Sequence, residues 1–113
     1  MMNNDKFNYC VILVTSGSEA EATKLAQTLL TEKLAACVNV FPIQSFYTWQ
    51  GEMQQDQEWQ LLVKTRLSLV DKLIERVQTL HSYDVPEVVA IPIIKGSLAY
   101  LDWISENTEF VSK

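Results

Sequence analysis

Few residues in this chain can do chemistry, and three of them fall close together. His81, Tyr83 and Glu87 occupy one seven-residue stretch just ahead of an apolar run. An imidazole, a phenol and a carboxylate can bind a metal ion, relay a proton or hold a polar ligand. His81 is also the only histidine in 113 residues, and at the end of a helix an imidazole has a plainer use, facing the negative pole and capping free carbonyls. The remaining scan is negative. There is no Cys-x-x-Cys, His-x-x-x-His or Gly-x-Ser-x-Gly, and three glycines are too few for a dinucleotide fingerprint. With no nucleophile set beside a base, the chain is expected to bind and not to be an enzyme.

Charge narrows the partners. Nine Lys plus Arg against fourteen Asp plus Glu give a formal net charge of −5, with no basic run. Nucleic acid and anionic membrane both require a clustered positive footprint, so neither is expected as a partner. The longest apolar stretches, Tyr9 to Val14 and Val88 to Ile94, have strand length and cannot span a bilayer. Met1 to Lys6 is polar, with no hydrophobic leader core. Cys10 and Cys37 stand apart in apolar surroundings, which predicts two reduced, buried thiols and a cytoplasmic location. Residues 1–113 read as a single domain, with 1–7 expected to be flexible.

The elements that must position the polar residues follow from periodicity and punctuation. Tyr9 to Thr15 reads as a central strand buried on both faces. Ser18-Glu19-Ala20-Glu21 has the form of a capping box, with Glu21 reaching back to the cap. It opens a helix with the stripe Ala22, Leu25, Ala26, Leu29, Leu30 and Leu34. A second helix, capped between Ser68 and Asp71, carries Val70, Leu73, Ile74, Val77 and Leu80 and is broken by Tyr83-Asp84-Val85-Pro86. Glu87 to Ile94 reads as a strand, and Ser97 begins a third helix. The order βαββαβα predicts an α+β, ferredoxin-like split-βαβ sheet with an additional C-terminal helix. In that topology the second and fourth strands are edges, where Pro42 and Pro92 are tolerated.

Between the helices lies a long hairpin, Cys37 to Thr65, turning at Gln50-Gly51 and carrying Phe46, Tyr47, Trp49 and Trp59 near its tip. Each arm reaches roughly 43 Å at ~3.3 Å per residue, against a radius of gyration near ~13 Å for a compact chain of this size. Such aromatic surface calls for burial outside the monomer, so an obligate oligomer is expected, with those four rings at its interface.

Leu34-Ala35-Ala36-Cys37-Val38-Asn39, Ser45-Phe46-Tyr47-Thr48-Trp49-Gln50-Gly51, Glu58, Lys64-Thr65, His81 through Tyr83 to Pro86-Glu87, and Tyr100-Leu101-Asp102-Trp103-Ile104 come in this order over nearly the whole chain. Together they resemble the CutA divalent-ion tolerance family. The resemblance implies a homotrimer of ferredoxin-like subunits and a role in tolerance of copper and other divalent cations. It also implies that Lys64, Tyr83 and Glu87 are cleft or ligand candidates, with a Lys64–Glu87 bridge as the purely structural alternative. The copper ligands tied to the family, a first-strand cysteine and paired histidines, are replaced here by Val14 and by Leu80 before His81. The expectation is therefore no tightly bound cofactor, and at most weak Cu(II) held by His81 with Glu87. A second reading is a PII-like module binding small ligands in clefts between subunits.

Overall fold

The computed structural model describes residues 7–109. The expectation of flexibility for residues 1–7 falls on residues outside these, Phe7 excepted. Four strands, β1 (Tyr9–Ser16), β2 (Cys37–Trp49), β3 (Glu52–Arg66) and β4 (Val88–Pro92), form one antiparallel sheet in the order β2-β3-β1-β4. Three helices, α1 (Glu19–Thr31), α2 (Val70–Leu80) and α3 (Leu98–Glu106), complete an α+β fold. Pro42 and Pro92 both fall on edge strands, where a missing N–H costs no ladder bond.

Alternation decides which face each strand buries. Cys10, Ile12 and Val14 of β1 and Leu61, Val63 and Thr65 of β3 are wholly buried beneath Ala22, Leu25 and Leu29 of α1 and Leu73 and Val77 of α2. The reverse face is less covered. Val11 and Leu13 are half-buried, so β1 is not enclosed on both sides within the chain, as its unbroken apolar run suggests. The helix α3 crosses to the opposite parity. Arg66 Nε donates to Thr108 Oγ1 at 2.9 Å and Nη2 to the Ser105 carbonyl at 2.7 Å, closing one end of the sheet.

The hairpin outruns its neighbours. Pairing of β1 with β3 ends at Ser16 opposite Trp59, so Glu52 to Glu58 pair with β2 alone. Seven residues at ~3.3 Å each leave roughly 23 Å of two-stranded ribbon beyond the sheet. The molecule measures 43 × 32 × 26 Å with a radius of gyration of 15.0 Å, which fits that overhang. Gln50 (φ 51°) and Gly51 (φ 81°) turn the ribbon, the pair of positive φ angles that a two-residue loop between twisted strands requires.

Local details differ from the sequence pattern. Leu30 is 42% exposed, because it follows Leu29 by one residue and so points about 100° round the helix from the face that Ala22, Leu25 and Leu29 bury. The end of α1 is a Schellman motif, with Lys33 N–H bonded to the Leu30 carbonyl at 3.0 Å and Leu34 N–H to that of Leu29 at 2.9 Å. Lys33 (φ 60°) occupies its left-handed position. Ser68 caps nothing: Leu67–Leu69 form a 3-10 turn leading into α2, with no side-chain cap. The strand β4 stops at Pro92, short of Ile94. Cys10 is fully buried, and burial pushes its thiol up to about 11, whereas Cys37 is only half-buried.

Candidate functional site

The stretch after α2 is where the polar residues converge. His81 leaves the helix in extended conformation (φ −79°, ψ 146°), and its side chain is buried. Its Nε2 lies 2.6 Å from the Thr15 carbonyl, and its Nδ1 accepts the Tyr83 N–H at 3.0 Å. A carbonyl only accepts, so Nε2 carries the hydrogen. The ring is then the neutral tautomer, and both nitrogens are engaged. This corrects the expectation of His81 as a metal ligand, since no lone pair remains for a cation. The capping expectation is corrected as well, since the ring bonds a carbonyl of β1 and not those of α2.

A second anchor comes from α1. The Ser18 hydroxyl accepts the Glu21 N–H at 3.1 Å, as half of a capping box would. The other half is absent. Glu21 turns its carboxylate across to Ser16 Oγ (2.7 Å), Ser82 N (2.7 Å) and Ser82 Oγ (3.1 Å), with His81 Nδ1 4.0 Å away. Partial burial raises this carboxyl, but its hydrogen bonds outweigh that and hold it below the usual range. Sequence reasoning missed Glu21 as a site residue because its spacing from Ser18 already had an explanation.

So anchored, the turn delivers Tyr83 to the hairpin. The Tyr83 hydroxyl donates to Glu58 Oε2 at 2.7 Å, and burial together with that carboxylate raises the phenol well above its ordinary value. Its ring lies 4.7 Å from that of His81. The hydroxyl also fills the space a side chain at Gly17 would need, since a Cβ there would sit 2.9 Å from it. Glu58 is the first hairpin residue beyond the end of β1, so Tyr83 occupies the corner where the overhang begins.

Between overhang and turn lies a cleft of about 710 Å³. Its walls include the rings of Phe46, Tyr47, Trp49 and Tyr83 and the carboxylates of Glu58, Asp84 and Glu87, with no Lys, Arg or His among the lining residues. Burial, followed by the nearby Glu58 charge, raises the Glu87 carboxyl. Tyr47 donates to Asp56 on the facing arm, which raises its phenol. Among the described residues, no three His, Cys, Asp or Glu side chains are grouped to hold one metal ion.

The structure brings Tyr83 and Glu87 together but not Lys64. That amine bonds Asn39 Oδ1, six residues along β3 from Glu58, or ~20 Å. A Lys64–Glu87 bridge does not form within the chain. The aromatic set also divides. Phe46, Tyr47 and Trp49 are 62%, 43% and 61% exposed, whereas Trp59 packs half-buried against the core opposite Ser16 and Pro42. Trp59 therefore belongs to the base of the hairpin and not to its tip. Glu58 stood in the motif set without an assigned role, and Asp84 carried no signal beyond lying in a turn.

A family model described as CutA1 divalent ion tolerance protein matches residues 10–107, a span holding every residue of this cleft. The chain belongs to the CutA1 divalent ion tolerance protein family. A curated relative from Thermus thermophilus, the divalent-cation tolerance protein CutA, is 54% identical over 99 residues, 87% of this chain and 96% of that protein. The chloroplastic protein CutA 1 of Oryza sativa is 48% identical over 87% of this chain, which spans only 56% of the rice protein's length. Among solved structures, the periplasmic divalent cation tolerance protein CutA from Archaeoglobus fulgidus superposes with a TM-score of 0.88 at 42% identity, covering 89% of this chain and 99% of that one. CutA structures thus share this chain's fold.

Proposed function

We propose that this chain serves divalent-cation tolerance, copper included, as a homotrimer of ferredoxin-like subunits that binds its ligand and does not transform it. The cleft carries the reading: Glu58 from the hairpin and Asp84 and Glu87 from the turn line it, with no Lys, Arg or His among the lining residues to balance them. Uncompensated carboxylates in a partly enclosed space favour a positively charged ligand. The same sign of charge disfavours the small anions that a PII-like module would hold. Family membership supports the link to divalent cations. The proposed binding is weak, with no tightly held cofactor, and a reducing cytoplasmic setting is supported by two free thiols.

The trimer is supported by what the chain leaves uncovered. Trp49, Met53 and Phe46 stand 61%, 78% and 62% exposed on the overhang, and Val89, Ile91 and Trp103 also present apolar surface. Edge strands β2 and β4 keep unpaired ladder groups that a neighbouring copy can satisfy. The test is calorimetric titration of the purified protein with Cu(II), Zn(II) and ATP, repeated on Glu58→Gln and Glu87→Gln. Cation binding that weakens in both variants, with none to ATP, is the expected result. Undiminished cation binding in both variants, or binding of ATP alone, would remove the cleft from this role.

A further inference from the structure

Glu21 has no part in a cleft that it does not line, yet the backbone N–H and the hydroxyl of Ser82, at the start of the Tyr83 turn, both bond to it. Its carboxylate is fixed on one side by Ser16, a fully buried residue at the end of β1, and grips Ser82 by both backbone N–H and hydroxyl on the other. The very next residue is Tyr83. We propose that Glu21 is the positioning residue of the cleft, clamping Ser82 to β1 so that Tyr83 lies over Gly17 with its hydroxyl on Glu58. The inference rests on the reading of the cleft as the binding site and adds how its Tyr83 wall is set.

Three features make the clamp specific. The extended backbone of His81 carries the Ser82 N–H away from the α2 ladder, and the anionic oxygen at 2.7 Å supplies its partner. His81 supplies a parallel bond from Nδ1 to the Tyr83 N–H, so consecutive amides of the turn are held by side chains of different elements. Gly17 leaves no side chain where the Tyr83 hydroxyl sits. A turn shifted by even an ångström would separate that hydroxyl from Glu58 and widen the cleft. The donors to Glu21 are the Ser16 and Ser82 hydroxyls and the Ser82 N–H, while the His81 Nδ1 that lies 4.0 Å away is occupied by the Tyr83 N–H.

The experiment compares wild type, Glu21→Ala and Glu21→Gln without any added cation, reading amide hydrogen exchange and the nuclear Overhauser contact between the Tyr83 ring and the Gly17 α-protons. In Glu21→Ala, exchange of the Ser82 amide should rise roughly ten- to hundredfold, the worth of a hydrogen bond to a charged group, and the Tyr83–Gly17 contact should vanish. Glutamine keeps a carbonyl acceptor at the same reach, so Glu21→Gln should restore the contact and most of the protection. Should Glu21→Ala not fold, Ser16→Ala, which removes the clamp's fixed end together with that hydroxyl's bonds to the Ser18 backbone, should weaken the same two signals. An unchanged contact and unchanged Ser82 exchange would overturn the proposal. So would exchange rising evenly through α1 and α2 with no rescue by glutamine. No ligand enters this measurement, so a failed cation titration beside an intact Tyr83 contact would count against the cleft reading alone.

Discussion

The two halves of the β2–β3 hairpin both carry large apolar side chains and meet opposite fates. At its base, Leu61, Val63 and Thr65 alternate onto one face and are wholly buried under α1 and α2. Beyond Glu58 the second arm turns polar, and Phe46, Trp49 and Met53 are more than half exposed, because β1 no longer pairs with the ribbon there. Hydrophobicity at period two says that a strand has a face to bury, not what will cover it. The base is explained by the chain's own helices. The overhang is covered by no element of this chain, and it is there that the cleft has formed.

That contrast can be broken at either end. In a trimer, Trp49→Ala removes a buried ring and should cost roughly 3 to 5 kcal/mol, lowering the melting temperature and weakening assembly together. Equilibrium denaturation run at several protein concentrations checks it. An unchanged melt and assembly would mean the overhang is idle surface.

At the base, Leu61→Ala should cost about 2 to 5 kcal/mol, since its side chain is 0% exposed in the core between sheet and helices. In a trimer whose subunits unfold as they separate, both midpoints move with protein concentration, but Leu61→Ala should leave the native protein assembled whereas Trp49→Ala weakens assembly. Equal loss of trimer in both variants, read by sedimentation, would erase the distinction between base and overhang.

Acid sharpens the contrast at the cleft. The Glu87 carboxyl titrates above its ordinary 4.5 because burial and Glu58 disfavour its charge, so its raised value destabilises the ionised fold. Stability from this group falls as pH rises from 4.5 through the folded value, and a cation bound there should offset the loss. Cation affinity should accordingly decline as pH drops through that same window, and Glu87→Gln should flatten the decline. Calorimetry across the window reads both effects.

The smallest expected effect lies on α1, far from the overhang. Lys33 sits at φ 60°, where glycine is free of strain, so Lys33→Gly should stabilise the chain by up to about 1 kcal/mol while leaving assembly untouched. Chemical denaturation at one protein concentration suffices to check it.

Element order, the Gln50-Gly51 turn, the edge positions of Pro42 and Pro92 and most of the core were legible in the residues, since each depends on local pattern. Leu30 was not, because a stripe does not say how wide an arc of the helix its sheet will cover. The site was legible in part. Tyr83 and Glu87 do share a cleft, but contacts across the chain settle their company: Glu21 meets Ser82 across 61 positions, and Tyr83 meets Glu58 across 25. His81 was misjudged for the same reason. Its type and place at a helix end suited a ligand, while the Thr15 carbonyl that occupies it lies 66 positions earlier. Lys64 and Glu87 share no wall because Lys64 pairs with Val11 within the sheet, six residues along β3 from Glu58 at the overhang's root, a separation that a motif cannot display.

The central claim is that the overhang and its cleft are completed by neighbouring copies. Sedimentation of the purified chain at micromolar concentration, with circular dichroism on the diluted sample, tests it most directly. A trimer, with no folded monomer accumulating on dilution, is the expected result. A folded monomer at micromolar protein would contradict it.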